Sequence, residues 1–176
     1  MNRSLTAFFG VALLGAACAA QAEPAIYHGG KLVIPNGAIF TDARQQYFTD
    51  IEMTTDSAGK LTILAATPMP LVYVETVDVT VTGGSEAVAP TVTVDVTGNK
   101  SVPCVALLEP AIHRNGNTFH VLLAETVQGP AESCIQVLDP FETEFTLDVS
   151  GLGAGSYKVI VNDEVEASFV LEADAP

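Results

Sequence analysis

The sequence predicts an all-β chain, an immunoglobulin-like antiparallel β-sandwich preceded by a small β-hairpin module. Three observations predict it. Apolar and polar residues alternate with period two over most of the chain, in runs rich in valine and threonine. Turn-forming residues interrupt those runs at short intervals. No stretch shows the apolar spacing of an amphipathic helix.

The first 22 residues are set aside before the elements are taken in order. Met1-Asn2-Arg3 is a short positive start, Leu5 to Ala17 is apolar or small apart from Thr6, and Ala20-Gln21-Ala22 is a small-x-small cleavage signal. That three-part pattern predicts a signal peptide over 1–22, cut after Ala22, and a periplasmic or secreted protein. The apolar run is too short to span a bilayer. A competing reading acylates Cys18 as a lipid anchor; its signal wants a leucine three positions earlier, where Gly15 stands.

Residues 23–68 read as the small N-terminal β module. "YHGGKLVIPNGAIF" is followed by "YFTDIEM" and "KLTILAA", the last two split by the turn Asp56-Ser57-Ala58-Gly59. Thr67-Pro68-Met69-Pro70 marks the boundary. Residues 69–171 then hold about seven strand candidates, a length suited to an immunoglobulin-like sandwich. Val77, Val79 and Val81 share one face of 71–83, and Val92, Val94 and Val96 share one face of 91–98. Phe145, Leu147 and Val149 do the same in 143–150. Asn115-Gly116 predicts a two-residue hairpin loop, which would set His113 opposite Thr118 and Ala111 opposite His120. "YKVIVN" and "EASFVLE", joined at Asn162-Asp163, close the fold, and residues 172–176 read as a flexible acidic tail.

Charge and cysteine count narrow the function classes. The chain carries 7 Lys and Arg against 21 Asp and Glu; removing Arg3 with the leader leaves a net charge of −15. Such a chain repels phosphate backbones and anionic lipid, so nucleic acid is not an expected partner. No later stretch is long and apolar enough for a transmembrane helix. Cys104 and Cys134 remain after the leader, an even pair in an exported chain, which predicts one disulfide.

"DVSGLGAGSYKVIVND" (148–163) has glycines at 151, 153 and 155, but a dinucleotide loop wants its third glycine where Ser156 stands, and a helix where a strand follows. Leu152, Gly155 and Tyr157 instead fit the tyrosine corner of sandwich folds: an apolar plug, a glycine turn, and a tyrosine whose hydroxyl bonds the backbone upstream. "VPC…HRNGNTFHVLL…SCIQVLDPFETEFTLDVSGLGAGSYKVIVNDEVEASFVL", within about residues 74–171, resembles a disulfide-containing immunoglobulin-like β-sandwich module of bacterial exported proteins. Cys104, Cys134, Pro140, Phe141, Glu142, Gly155, Tyr157, Asn162 and Phe169 carry the resemblance. It implies the fold and no activity. Asp163 stands where that pattern has glycine, so a different last turn is expected. "GGKLVIP" resembles a short β motif found upstream in exported bacterial proteins.

Candidate sites are few. His113 and His120 fall on one strand face, diagonally placed; with Met53 or Met69 they would make a periplasmic copper site. Two ligands without a close third read better as surface histidines. Asp139, Glu142 and Glu144, and Asp163, Glu164 and Glu166, form acidic clusters without calcium-loop spacing, and read as solvated edge charge. There is no tryptophan for a sugar platform, no Gly-x-Ser-x-Gly elbow and no spare cysteine. The expected function is therefore that of an exported, non-enzymatic binding or structural module of the cell envelope, without cofactor, docking a protein partner by a sheet edge or loop face. The alternative is a periplasmic metal-handling protein using His113 and His120.

Overall fold

The computed structural model describes residues 24–41, 44–84, 89–130 and 133–172. The leader with Cys18 and Ala22, and the tail beyond residue 172, lie outside the described residues. Eleven strands and no helix are present among them: β1 (Ile26–His28), β2 (Lys31–Thr41), β3 (Arg44–Thr55), β4 (Leu61–Met69), β5 (Tyr73–Thr82), β6 (Thr91–Lys100), β7 (Ala111–Asn115), β8 (Thr118–Leu122), β9 (Asp139–Leu147), β10 (Gly155–Val161) and β11 (Val165–Leu171). They form three sheets, with strand orders β1-β2-β3-β4, β5-β6-β9 and β11-β10-β8-β7.

The last two sheets make the sandwich. Val92, Val94 and Val96 of β6 face Phe119 and Val121 of β8, Tyr157, Val159 and Val161 of β10, and Phe169 and Leu171 of β11 in one buried cluster. Val77 joins them, with Val79 and Val81 partly buried beside it. A bulge between Val74 and Thr76 resets the alternation of β5, so Val72 and Val74 also point inward. The pairings are antiparallel with one exception, which corrects the all-antiparallel expectation: β10 runs parallel to β8. After β8 the chain crosses to the opposite sheet to make β9 before returning as β10. A connection of that length permits parallel neighbours, whereas a tight hairpin does not.

The N-terminal sheet lies against the other face of the β8 layer. Tyr47 and Met69 are buried with Leu122 and Ala124 in a second cluster, bordered by Ala38, Phe40, Leu71, Leu108 and Ala111. Tyr47 Oη donates to the Glu109 carbonyl at 2.9 Å. The segment after β4 also joins the layers: Leu71 bridges Ala124, Val72 N–H donates to Leu123 O, and Glu125 N–H donates to Pro70 O. Strand β8 and the two residues after it therefore feed two cores. Phe119, Val121 and Leu123 enter the sandwich, while Leu122 and Ala124 meet the first sheet. "FHVLLAE" is almost continuously apolar because both its faces are covered.

Candidate binding cleft

The β7–β8 hairpin turns at Gly116-Asn117, one residue later than Asn115-Gly116 predicts. Asn115 pairs with Thr118, and Gly116, at φ 59°, occupies the first central position of the loop. A glycine with positive φ suits that position in a type II′ turn. The one-residue shift of the loop moves the pairing by two, so every side chain keeps its face while its partner changes. His113 now stands directly opposite His120 instead of diagonal to it.

That face of the hairpin looks toward the first sheet. There the end of β2 and the start of β3, closed by Thr41 and Arg44, overhang the histidines. Thr41 Oγ1 accepts from Arg44 N–H and donates to Arg44 O, both at 3.0 Å. The Phe40 ring stacks on His113 with centroids 5.3 Å apart. Between the layers opens a cleft of about 310 Å³, lined by Phe40, Thr41, Gln45, His113, Asn115, His120 and Asp163. Side-chain Oε1 of Gln45 is buried with no hydrogen-bond partner. A buried acceptor of that kind is held at a cost of roughly 1–3 kcal/mol unless something donates to it. Among the described residues Asp163 is the only lining residue with a fixed charge, and neither Lys nor Arg lines the cleft.

Asp163 lines the cleft from the β10–β11 turn. Asn162 and Asp163 are both left-handed, at φ 52° and 57°, and Glu164 N–H donates back to Val161 O. Short polar side chains tolerate that conformation better than others. Asn162 is buried and fully used: Nδ2 donates to Val72 O at 2.8 Å and Leu123 O at 3.0 Å, and Oδ1 accepts from Leu123 N–H at 2.8 Å.

The remaining sequence candidates fall elsewhere. Cys104 and Cys134 form a disulfide with Cα atoms 6.0 Å apart, tying the loop after β6 to the one before β9. Leu152 is buried in the sandwich core, and Tyr157 Oη donates to Gly153 O at 2.7 Å while its ring stacks on Phe169. The left-handed glycine of this corner is Gly151, at φ 71°, and not Gly155. Gly155 begins β10 opposite Leu171, where an added Cβ would make only ordinary contact with Tyr157. The glycine requirement belongs to the turn itself, which ends before the strand begins.

The acidic groups disperse. Asp139 pairs with Lys100 at 2.8 Å and Glu166 with Lys158 at 2.9 Å, while Glu142, Glu144 and Glu164 are exposed. Met69 is buried under the first sheet, and Met53 does not line the cleft. Among the described residues no three His, Cys, Asp or Glu side chains gather as a metal site. No described helix is long and apolar enough to cross a membrane.

Sequence reasoning placed the two histidines on one face and missed Phe40, Thr41, Gln45 and Asn115 as their company. The available signal was the doubly apolar "FHVLLAE", which announces that a second layer must cover the histidine face.

Residues 94–171 match the family model of the ORF11 beta-sandwich domain. The match begins within β6 and ends with β11, taking in the disulfide, the tyrosine corner and the histidine hairpin but not the first sheet. No curated protein and no solved structure matches the chain.

Proposed function

We propose that the chain is an exported, non-enzymatic binding module of the bacterial cell envelope, and that its recognition site is the cleft between the first sheet and the sandwich. The carrying observation is a polar cleft lined by two imidazoles and the amide side chains of Gln45 and Asn115, with the Gln45 Oε1 buried and unpartnered beside it. The two imidazoles and the Asn115 amide are able to accept and donate in several directions. With Asp163 the only fixed charge among the described lining residues and a strongly acidic chain around it, the cleft suits a neutral or cationic group rich in hydrogen-bond donors. Both cysteines of the mature chain are in the disulfide, and the Thr41 hydroxyl is engaged by Arg44, which supports binding rather than nucleophilic catalysis.

Gln45→Leu separates this reading from a structural role. Leucine removes a buried acceptor that nothing satisfies, so the melting temperature should rise, by the equivalent of about 1–3 kcal/mol. A fall would mean that the amide supports the fold, and the reading would be wrong. The binding arm places a photo-crosslinking residue at Asn115 in living cells. An envelope adduct is expected, and it should disappear when Gln45→Leu and His120→Ala are added. Absence of any adduct would overturn the proposal.

The directly opposed His113 and His120 favour one alternative, a metal-handling protein. Copper or zinc would then raise the melting temperature, and the His113→Ala/His120→Ala pair would abolish the rise.

A further inference from the structure

The cleft gathers hydrogen-bond acceptors around one uncompensated charge. Asp163 is exposed and belongs to none of the ion pairs among the described residues, which join Lys31 to Glu52, Lys100 to Asp139 and Lys158 to Glu166. The described arginines are engaged elsewhere: Arg44 lies over the Phe48 ring at 5.7 Å, and Arg114 donates to Gly116 O at 3.1 Å. The Gln45 and Asn115 amides line the cleft with that carboxylate, and the Gln45 oxygen has no donor. Each neutral imidazole of His113 and His120 adds one ring acceptor. Phe40 stacks on His113, which gives the cleft a planar aromatic wall. At about 310 Å³ the cleft stands at the small end of the range for ligand sites, roughly 300–1,000 Å³. It has room for one side-chain-sized group.

We propose that the cleft receives a guanidinium group, the arginine side chain of a protein partner, and that protons on the opposed histidines compete with it. The inference rests on the cleft being the recognition site. A guanidinium is planar, weakly hydrated and carries five donors, and it stacks on aromatic faces; an ammonium is compact, strongly hydrated and carries three. The acceptors come from β3, β7, β8 and the β10–β11 turn, so a flat fan of donors reaches more of them than a point charge does. A neutral amide lacks the charge that Asp163 and an acidic chain attract. The same acidity draws in a basic protein surface, of which the cleft admits a single side chain. His113 and His120 are register partners on neighbouring strands. Histidine is the side chain that gains charge between about pH 8 and pH 5, and each proton puts a positive charge where the guanidinium would sit. From the first sheet the described lining residues are Phe40, Thr41 and Gln45, none of which titrates. Along the same sheet face His120 is followed by Ile160 and then Glu166, which is paired with Lys158. Asp163 is thus the one described carboxylate lining the cleft with the pair, and it serves either the imidazoliums or the ligand. Acid expels the guanidinium, and neutral pH admits it.

Solution NMR of the purified exported protein tests it, with methylguanidinium, methylammonium and acetamide as probes. Methylguanidinium should bind saturably and shift the ring signals of both histidines and the Asn115 side-chain amide. The other two should bind about tenfold more weakly or worse. Asp163→Asn should weaken methylguanidinium about tenfold by removing the charged acceptor. Its melting temperature should not change, because asparagine keeps the shape and tolerates the φ of 57°. Affinity should fall between about pH 7.5 and about pH 5.5, and both rings should titrate at lower pH with the probe bound than without it. In envelope extract, excess methylguanidinium but not methylammonium should block the photo-adduct at position 115, and the adduct should map to an arginine-containing segment of a protein. Equal binding of methylammonium or acetamide, an affinity indifferent to Asp163→Asn, or tighter binding in acid would each overturn the proposal. A protein adduct that methylguanidinium leaves intact removes the guanidinium and keeps the cleft as the recognition site. Absence of both adduct and probe binding removes both.

Discussion

Asn162 joins three segments that are far apart in sequence. Its side chain fastens the end of β10 to the backbone at Leu123 and at Val72, and its own N–H donates to Val121 O. It does this from a left-handed conformation that asparagine tolerates. Asn162→Ala should destabilise the protein by about 2 kcal/mol or more, because the buried Leu123 N–H and the Val72 carbonyl lose the amide together, while Leu123 O keeps the Val72 N–H. Asn162→Asp should cost more still, since it replaces the donor with an oxygen facing two carbonyls. Urea unfolding checks both, and a change below that of an ordinary surface substitution would show that water replaces the amide.

Strand β8 is the element on which the architecture turns. Its alternate side chains enter two different cores, so a single short strand belongs to the sandwich and to the interface with the first sheet at once. The loops around it are held by other means. The Cys104–Cys134 bridge spans 30 residues, including the whole β7–β8 hairpin, and joins the loop after β6 to the one before β9. Chain-entropy reasoning assigns such a bridge roughly 3–4 kcal/mol. Reduction should therefore lower the urea midpoint by a corresponding amount, with replacement of both cysteines by serine reproducing the loss. Equal midpoints for the oxidised and reduced protein would mean that the loops are ordered in the unfolded chain or strained in the folded one.

At the scale of the whole molecule, the described residues stack as three layers: the first sheet, the β8-containing sheet and the β6-containing sheet. Tyr47 reports on the junction of the first two. Burial, with the Glu109 carboxylate adding to it, raises its phenol above the ordinary value of 10.0. The folded state thus retains the proton where the unfolded chain has begun to release it. Stability from this group is fully present below about pH 10 and is lost as pH rises past it. The urea midpoint should fall from about pH 9 to about pH 11 more steeply in the native protein than in Tyr47→Phe. Parallel pH profiles would show the phenol to be free to ionise in place.

The sequence by itself determined the fold class, because a two-residue apolar period and β-branched composition are local properties that survive any arrangement of the strands. It also determined which residues fill the sandwich, since Val92, Val94, Val96, Leu152 and Tyr157 follow from alternation and turn chemistry alone. The disulfide followed from counting. Tertiary structure alone decided the rest. The exact hairpin loop was beyond the dipeptide signal, because Asn115-Gly116 and Gly116-Asn117 are both acceptable turns and only the paired strands choose between them. The parallel β8–β10 contact depends on where a long crossover returns, which no local pattern records. The cleft depends on a sheet made from residues 26–69 lying over a hairpin made from residues 111–122. Gln45 and His120 share a site because two layers stack, and stacking is set by the summed burial of Tyr47, Met69, Leu122 and Ala124, not by anything near either residue in the chain.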